Sequence, residues 1–445
     1  MASNGELSAG GSEAPARSVG GVPVTRRNAT NLALMALAAL WPQNAAVLVR
    51  NAFALARDGP WRDHVRRRRG GADASLDALA AGALGWIRRS QDQVGSGGVG
   101  DFRYGGWTPG YPEVTGYIIP TFWDYHHALG DDDLAARAVR MADWELGVQK
   151  LEGGFESLYE GEGQPPVVFN TGQVIRGLTR THAETGEDRY LEAAVRAGRW
   201  IVANQEPDGS WTKANYLGMK RTYDAYAAGG LAHLHTATSD EAFGRAVRAN
   251  CEFVLRNQRP NGWFDLCDNT PEGNATPSTH TLCYTIDGLL EAADALGEPE
   301  FREAGERAAR ALADRVEPGG MLRGRFDDEW RPACRYSVLT GSAQLGIILV
   351  KLYRATGEKR LLDTAGELLD FLAFVQDLNG IGADRSGGMT GSFPIWGRYV
   401  PLKYPSWATK FYLDHLRLVT KARGDDSHGG GGHEPTRATA APGSA

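Results

Sequence analysis

The sequence predicts an all-α fold, an (α/α)6 toroid in which six antiparallel helical hairpins close into an inner and an outer ring. Two observations lead to this prediction. A segment with an aromatic residue, an apolar run, a Gln and a Gly recurs along the 445 residues with a period of 53 to 59 residues, which is typical of repeat proteins. Between the copies, helices of two kinds alternate. Hairpins of this type bury their apolar faces best by closing into a double ring.

The repeat is clearest in RWIVANQEPDGSW, residues 199–211. In five copies an aromatic residue is followed five positions later by Gln, and a glycine comes next. The pairs are Trp86 and Gln91, Trp144 and Gln149, Trp200 and Gln205, Phe253 and Gln258, and Phe371 and Gln376, with Gly97, Gly154, Gly209, Gly262 and Gly380. A sixth copy, residues 310–321, keeps the glycines but lacks the aromatic residue and the Gln. We expect Gln205 to tie the end of its helix to the next repeat.

The helices that carry the repeat have one apolar and one charged face, a pattern that predicts half-exposed outer helices. They are 75–91, 133–149, 189–205, 241–258, 300–316 and 360–376. The helices between them are apolar nearly all round, which predicts the inner ring. They are 114–130, 169–186, 221–238, 279–297, 337–357 and 404–419. Most inner helices end at a short corner such as TGED (185–188), where Gly ends one helix and a carboxylate begins the next.

We expect the ring to span residues 74–423 and its flanks to be less ordered. Residues 1–24 and 424–445 have the composition of disordered chain, and residues 25–73 are interpreted as a helical extension and a basic linker. An arginine pair precedes a short apolar run there, as in twin-arginine export signals. Because that run is short and Arg50 interrupts the route to a cleavage site, we favour a cytoplasmic location. No segment has the roughly 18–20 apolar residues of a membrane helix.

The net charge of −6 gives no reason to expect a nucleic-acid partner, since such partners are bound by basic surfaces. A small molecule or a glycan is the expected partner, and no cofactor or resident metal is predicted. The four cysteines lack C-x-x-C pairing and are interpreted as isolated buried thiols. The oligomeric state does not follow from the sequence.

The long connections all gather at the end of the ring where the inner helices begin. Free helix amides and the positive dipole end there suit oxygen-rich ligands, so we predict the functional cleft at that end. The candidate binding residues are Tyr117, Asn170, Gln173, Tyr223, Arg335, Gln344, Trp396, Tyr404, Trp407 and Lys410. Aromatic rings combined with amides and charges are typical of sugar sites. Each of these residues taken alone could equally be a helix cap or a buried polar group with a structural role.

Two sets of residues are candidates for catalysis. Glu113 and Asp224 come from different hairpins and could act as a carboxylate pair in glycoside hydrolysis. His280 and Tyr284, one helical turn apart, could act as base and phenolic acid in proton abstraction beside a uronate carboxylate. That chemistry would be elimination or C5-epimerisation, with Asn170, Gln173 or Arg335 neutralising the carboxylate.

The repeat resembles the QW repeat of squalene cyclases and protein prenyltransferase β-subunits, most closely in 199–211 and NCEFVLRNQRPNGWF (250–264). Those families are double rings of six hairpins, so the resemblance implies this fold over most of 75–420. Their chemistry is not implied, because a D-x-D-D acid motif is lacking. THTLCYTIDGL (279–289) resembles the prenyltransferase segment whose His binds zinc, which would place that role on His280. The remaining zinc ligands would have to be Asp265, Cys267 and Cys283.

Segments 169–194, 338–365 and 391–416 are similar to a second group, the six-hairpin carbohydrate-active enzymes. These include glycoside hydrolases, unsaturated glucuronyl hydrolases, sugar 2-epimerases and the C-terminal domain of glucuronyl C5-epimerases. The resemblance implies an enzyme that acts on an oligo- or polysaccharide, by glycoside hydrolysis or by uronate elimination or epimerisation. The alternatives are a terpenoid cyclase or prenyltransferase-like enzyme, and a non-catalytic toroid that binds a glycan or a protein.

Overall fold

The computed structural model describes residues 75–103, 106–376 and 383–428, together with two short strands that pair antiparallel, β1 (Ser18–Val19) and β2 (Val22–Pro23). The strands belong to a unit of residues 1–50, and the helices belong to a second unit, residues 51–445. The predicted extension and basic linker (25–73) and the tail beyond His428 lie outside the described residues.

Within those residues, twelve α-helices alternate between an outer and an inner ring, which confirms the predicted fold. The outer helices are α1 (Leu76–Val94), α3 (Asp132–Val148), α5 (Asp188–Ala203), α7 (Glu241–Arg256), α9 (Pro299–Ala313) and α11 (Lys359–Val375). The inner helices are α2 (Pro112–Leu129), α4 (Val168–Thr185), α6 (Ala225–Thr238), α8 (Thr279–Leu296), α10 (Leu339–Thr356) and α12 (Ser406–His428). None of these helices is long and apolar enough to cross a membrane.

The repeated Gln joins neighbouring outer helices, as predicted for Gln205. Each side-chain amide donates to the carbonyl of a glycine in its own turn and to a carbonyl of the next outer helix. The pairs of acceptors are Gly97 and Arg137 for Gln91, Gly153 and Ala193 for Gln149, Gly209 and Ala246 for Gln205, Gly262 and Ala304 for Gln258, and Gly387 and Leu79 for Gln376, all within 2.9–3.3 Å. Because Leu79 lies in α1, the last of these contacts closes the outer ring.

In two repeats the glycine that contacts the Gln differs from the glycine noted in the sequence pattern. It is Gly153, with φ of 105°, rather than Gly154, and Gly387, with φ of 88°, rather than Gly380. Gly380 itself lies outside the described residues. A side chain at Gly387 would collide with the carbonyl of Gly82 in α1, so this turn requires glycine both for its left-handed backbone and for its close approach to the neighbouring helix.

The short corners lie at the opposite end from the cleft. Four inner helices end in left-handed glycines, namely Gly130, Gly186, Gly297 and Gly357. At the third corner Ser239 takes the same conformation, with φ of 54°. Asp240 then begins α7, and its carboxylate accepts a hydrogen bond from the amide of Ala242 at 2.9 Å, as expected of an N-cap.

Short strands tie the connections together at the cleft end. They are β3 (Phe102–Arg103), β4 (Gly106–Trp107), β5 (Ser337–Val338), β6 (Ser392–Phe393) and β7 (Lys403–Tyr404). β3 pairs antiparallel with β4 and β7, and β5 pairs antiparallel with β6. The loop before α12 is therefore joined to the entries of both the first and the fifth hairpin. Its placement across the ring end brings its side chains to the cleft.

Candidate functional site

The inner helices meet in an aromatic cluster. The ring of Tyr284 on α8 lies 4.9 Å from Phe169 on α4, 4.6 Å from Tyr226 on α6 and 6.0 Å from Phe411 on α12, measured between centroids. Tyr117 on α2 lies 5.5 Å from Phe411. Five inner helices therefore contribute to one cluster beneath the cleft, in which the hydroxyls of Tyr117 and Tyr284 interact with each other.

His280 links α10, the remaining inner helix, to this cluster. Its Nδ1 lies 2.7 Å from Oε1 of Gln344 on α10, and because an amide oxygen accepts, Nδ1 carries the proton and Nε2 is left as an acceptor. The imidazole packs 4.2 Å from the ring of Tyr284. Burial lowers the pKa of His280 to about 4, although the contact with Gln344 opposes this. The side chain is therefore neutral at pH 7.

Glu113 lies in the first turn of α2 and is half-buried at the cleft. The hydroxyl of Tyr111 donates a hydrogen bond to its Oε2 at 2.6 Å. Burial raises the pKa of Glu113 to about 7, Tyr111 lowers it, and the charge of Asp101 raises it further. A carboxyl group with a pKa near the working pH can both take and give a proton, which suits general acid–base catalysis.

Phenols from several elements surround this carboxylate. Burial raises the pKa of each of them, and the negative charge of Glu113 adds to the rise. They are Tyr117, Tyr223, Tyr284 and Tyr399. Tyr399 is half-buried, accepts a hydrogen bond from Nε1 of Trp407 at 2.9 Å, and lies 5.7 Å from the ring of His280. These phenols are therefore neutral at pH 7, and the hydroxyl of Tyr223 donates to Oδ1 of Asn269 at 2.6 Å.

Asp224, the other predicted catalytic carboxylate, directly precedes α6 and is completely buried. Asn215 donates to its Oδ2 at 2.5 Å, and its Oδ1 has no partner among the described residues. Burial raises the pKa of Asp224 to about 7, against the opposing charge of Arg221. The carboxylate whose charge reaches Glu113 is Asp101 rather than Asp224. The pairing of Glu113 with Asp224 therefore stays a prediction.

Three of the other predicted binding residues are already engaged with protein groups. The Asn170 amide donates to the Glu156 carbonyl at 3.1 Å. Gln173 is completely buried and accepts a hydrogen bond from Nε of Arg176 at 2.9 Å. The Lys410 ammonium lies 2.8 Å from a carboxylate oxygen of Asp414, one helical turn away, and 4.0 Å from the centroid of the Phe411 ring. In this arrangement they brace the inner ring.

The remaining predicted binding residues lie at different depths. Trp396 and Trp407 are half-buried at the rim, and Trp407 packs edge-on at 6.3 Å from the ring of Tyr111. Tyr404 is buried in β7, with its ring 6.3 Å from that of Phe102. The side chain of Arg335 is exposed. Of these four residues, Trp407 is the one in ring contact with Tyr111, which binds Glu113.

The sequence prediction missed Tyr399 and Asp101. Both lie in irregular connections, where helical periodicity offers no signal. The aromatic-rich segment 396–407 was a signal for Tyr399, but nothing in the sequence indicated that this loop would cross the ring end. Asp101 precedes a strand of only two residues, and its contacts come from residues 58 and 305 positions away in sequence.

The residues considered for a zinc site are not gathered. The thiol of Cys267 contacts the hydroxyl of Thr285 at 3.3 Å, and that of Cys283 faces the carbonyl of Gly341 at 3.6 Å. Asp265 instead pairs with Arg259 at 2.8 Å. In the described part of the chain, no three His, Cys, Asp or Glu side chains are placed to hold a metal ion.

No protein-family model and no curated protein sequence matches this chain, but solved structures of similar fold do. An unsaturated glucuronyl hydrolase specific for heparin has a TM-score of 0.63 at 14% identity, covering 78% of this chain and 98% of its own. Cellobiose 2-epimerase from Spirochaeta thermophila has a TM-score of 0.62 at 15% identity, covering 82% of this chain and 100% of its own. The unsaturated glucuronyl hydrolase of a Bacillus species has a TM-score of 0.60 at 16% identity, covering 78% and 97%. The chain has the six-hairpin (α/α)6 toroid fold of these enzymes.

Proposed function

We propose that the protein is a carbohydrate-active enzyme in which Glu113 is the acid–base group. The observation that carries this proposal is a half-buried carboxyl group in the first turn of an inner helix at the cleft, which accepts a hydrogen bond from Tyr111 and whose pKa burial raises to about 7. Phenols lie around it, and Tyr111 packs edge-on against the indole of Trp407, a composition suited to a sugar ring and its hydroxyls. The likeness to glucuronyl hydrolases and sugar epimerases supports a sugar as the substrate.

The reaction that best fits this arrangement is proton transfer at the carbon beside a uronate carboxylate. Ionised Glu113 takes the C5 proton, and neutral phenols such as Tyr399 donate hydrogen bonds to the enolate that develops on the carboxylate. Delivery of a proton to C5 from the opposite face by a phenol gives the epimer, and the proton on Glu113 returns to that phenolate through solvent. Departure of the C4 substituent with the electrons of the C4–O bond, and with a proton from Glu113 or a phenol, gives the unsaturated product. His280 serves as a hydrogen-bonding group here, because a pKa of about 4 makes it a weak base.

Glycoside hydrolysis is the second candidate, and Asp224 is the observation that favours it. This second carboxyl group also has a pKa raised to about 7, and one of its oxygens has no partner among the described residues. Protonated Glu113 would act as the acid, and Asp224 would act on the water. Because Asp224 is completely buried, this mechanism requires the connection before α6 to move.

Turnover of uronate-containing oligosaccharides in D2O tests the proposal. Deuterium at C5 reports epimerisation, a rise in the ultraviolet absorbance of the unsaturated uronate reports elimination, and new reducing ends without that rise report hydrolysis. We expect E113Q to lower the rate by about 100-fold or more, the usual contribution of an acid–base group. E162Q, which alters an exposed carboxylate in a neighbouring connection, is the matched control. Full activity in E113Q would contradict the proposal.

A further inference from the structure

Asp101 receives hydrogen bonds from two different parts of the cleft wall. It is 2% exposed, and its Oδ1 accepts from the amide and the hydroxyl of Ser406 at 2.8 and 2.7 Å. Its Oδ2 accepts from the hydroxyl of Tyr159 at 2.7 Å. Ser406 begins α12, and Tyr159 lies in the connection between α3 and α4. One carboxylate in the first hairpin therefore fastens elements of the second and the sixth.

These two elements carry the aromatic rings that hold Tyr111. The ring of Tyr159 lies 5.3 Å from that of Tyr111, and Trp407, the residue after Ser406, lies 6.3 Å from it. Tyr111 in turn donates the hydrogen bond that Glu113 accepts. The position of the Tyr111 hydroxyl, and with it the hydrogen bond on Glu113, thus depends on two rings that Asp101 anchors.

Asp101 also provides a negative charge near Glu113. Burial raises the pKa of Asp101, but the donors from Ser406 and Tyr159 and the charge of Arg103 oppose this rise and favour the ionised carboxylate. A nearby like charge makes ionisation of Glu113 less favourable. The other titratable groups that face Glu113 are Tyr111, Tyr117, Tyr223, Tyr284 and Tyr399. Among the groups around Glu113, Asp101 is the one whose charge raises the pKa of Glu113.

We propose that Asp101 is a positioning residue that holds Tyr159, Trp407 and Tyr111 around Glu113 and supplies the negative charge against which Glu113 titrates. The inference deepens the proposed function and rests on it for its catalytic meaning. Its physical content, an effect of Asp101 on the titration of Glu113, can be measured without any substrate.

The test is the titration midpoint of Glu113 in the full chain, followed by the carbon NMR signal of its labelled carboxyl group and assigned by the loss of that signal in E113Q. D101N keeps the shape of the side chain and an acceptor for Ser406 but removes the charge. We expect D101N to lower the midpoint by about half a unit or more, the size of a nearby like charge in a partly buried site. If D101N does not fold, Y159F, which releases Tyr159 from Asp101, tests the positioning alone. It should raise the midpoint, because a displaced Tyr111 no longer stabilises ionised Glu113. An unchanged midpoint there would contradict the positioning role.

D268N is the matched control, since Asp268 is also buried and accepts a hydrogen bond from the amide of Ser278 at the start of an inner helix, at 3.1 Å. It should leave the Glu113 midpoint unchanged. An unchanged midpoint in D101N, or an equal shift in D268N, would overturn the inference. Should no sugar be turned over while D101N still shifts the midpoint, the proposed function fails and the role of Asp101 stands.

Discussion

Two buried ion pairs join inner helices towards the corner end of the ring, whereas the two candidate carboxyl groups at the cleft end have no such partner in the described part of the chain. Towards the corners, Arg176 lies 2.6 Å from Glu291, and Lys351 lies 2.5 Å from Asp287. Burial alone would raise the pKa of Glu291, but the charges of Arg176 and Lys351 outweigh it and hold that pKa well below its usual range. At the cleft, Glu113 and Asp224 have no cation within ion-pair distance among the described residues, and burial raises both of their pKa values to about 7.

The presence or absence of an ion-pair partner distinguishes polar groups with a structural role from those with a functional role in the same ring. Paired charges at the corner end stabilise the packing of the inner helices. At the cleft end, Glu113 and Asp224 are desolvated without a compensating cation in ion-pair distance among the described residues, an arrangement that costs stability and is typical of catalytic sites. Among the described carboxyl groups of the inner helices and their entries, Glu113 and Asp224 combine a raised pKa with the lack of an ion-pair partner, and this is the reason to place chemistry at the cleft end.

The largest effect should come from breaking the paired end. E291Q leaves Arg176 buried without its counter-charge, which should lower the free energy of unfolding by about 3 kcal/mol. The wild-type contribution is present above the unfolded pKa of this glutamate and is lost as the pH falls towards its depressed folded value. Urea unfolding of E291Q at pH 7, with the exposed E192Q as control, checks this. Equal unfolding midpoints for the two variants would show that the pair does not stabilise the ring.

A smaller loss is expected from the outer ring. Q205L removes the hydrogen bonds to the carbonyls of Gly209 and Ala246, which should cost about 1–2 kcal/mol. The same substitution at Gln258, which makes the equivalent contacts in the next repeat, should have a similar effect in urea unfolding. The sixth copy has Val316 in place of the Gln, and its chain still turns at Gly320, with φ of 86°. A cost near zero at both positions would mean that the turns, rather than the Gln, hold adjacent repeats together.

A gain in stability is expected from replacing Glu145. This carboxyl group has no cation beside it among the described residues and does not lie at the cleft. It is fully buried in α3 at a position that is apolar in the other repeats, and neither oxygen has a partner among the described residues. Burial raises its pKa well above the usual value. The folded state therefore keeps Glu145 protonated. Above about pH 4.5 the unfolded state ionises this group and is stabilised by doing so, which lowers the free energy of unfolding.

E145L should accordingly raise the free energy of unfolding at pH 7 by about 1–2 kcal/mol, and the gain should shrink as the pH falls below 4.5. Thermal unfolding of both proteins at pH 4 and pH 7 measures this. A loss of stability at pH 7 would indicate that Glu145 has a partner in solution and belongs with the paired groups.

The sequence predicted the scaffold because the scaffold is periodic. The Gln makes the same pair of contacts in successive repeats, so its recurrence in the sequence indicates its structural role. The short corners could be predicted because a Gly ends one helix and a carboxylate begins the next. The site is not periodic. Glu113 could be selected as a carboxylate at the start of an inner helix, but its contact with Tyr111 and the charge of Asp101 depend on irregular connections that converge only in three dimensions.

For the same reason, some of the binding residues predicted from their position at the start of an inner helix are already bound to other protein groups. Gln173 and Lys410 lie on inner helices as expected, yet Arg176 and Asp414 already engage them. The strands that carry the loop before α12 to both neighbouring hairpins are two residues long, too short for strand periodicity to be recognised. Tyr399 is brought to the cleft by that loop, which explains why helix patterns could not identify it.

The most direct test of the account is the titration of Glu113 itself in the wild-type protein. The carboxyl carbon signal that E113Q lacks should titrate with a midpoint near pH 7, the value to which burial raises it. If Glu113 acts as the base, turnover should rise with pH through the same midpoint. A midpoint near 4.5, the value of a solvated glutamate, would show that the cleft does not desolvate this carboxyl group and would contradict the assignment of Glu113 as the acid–base group.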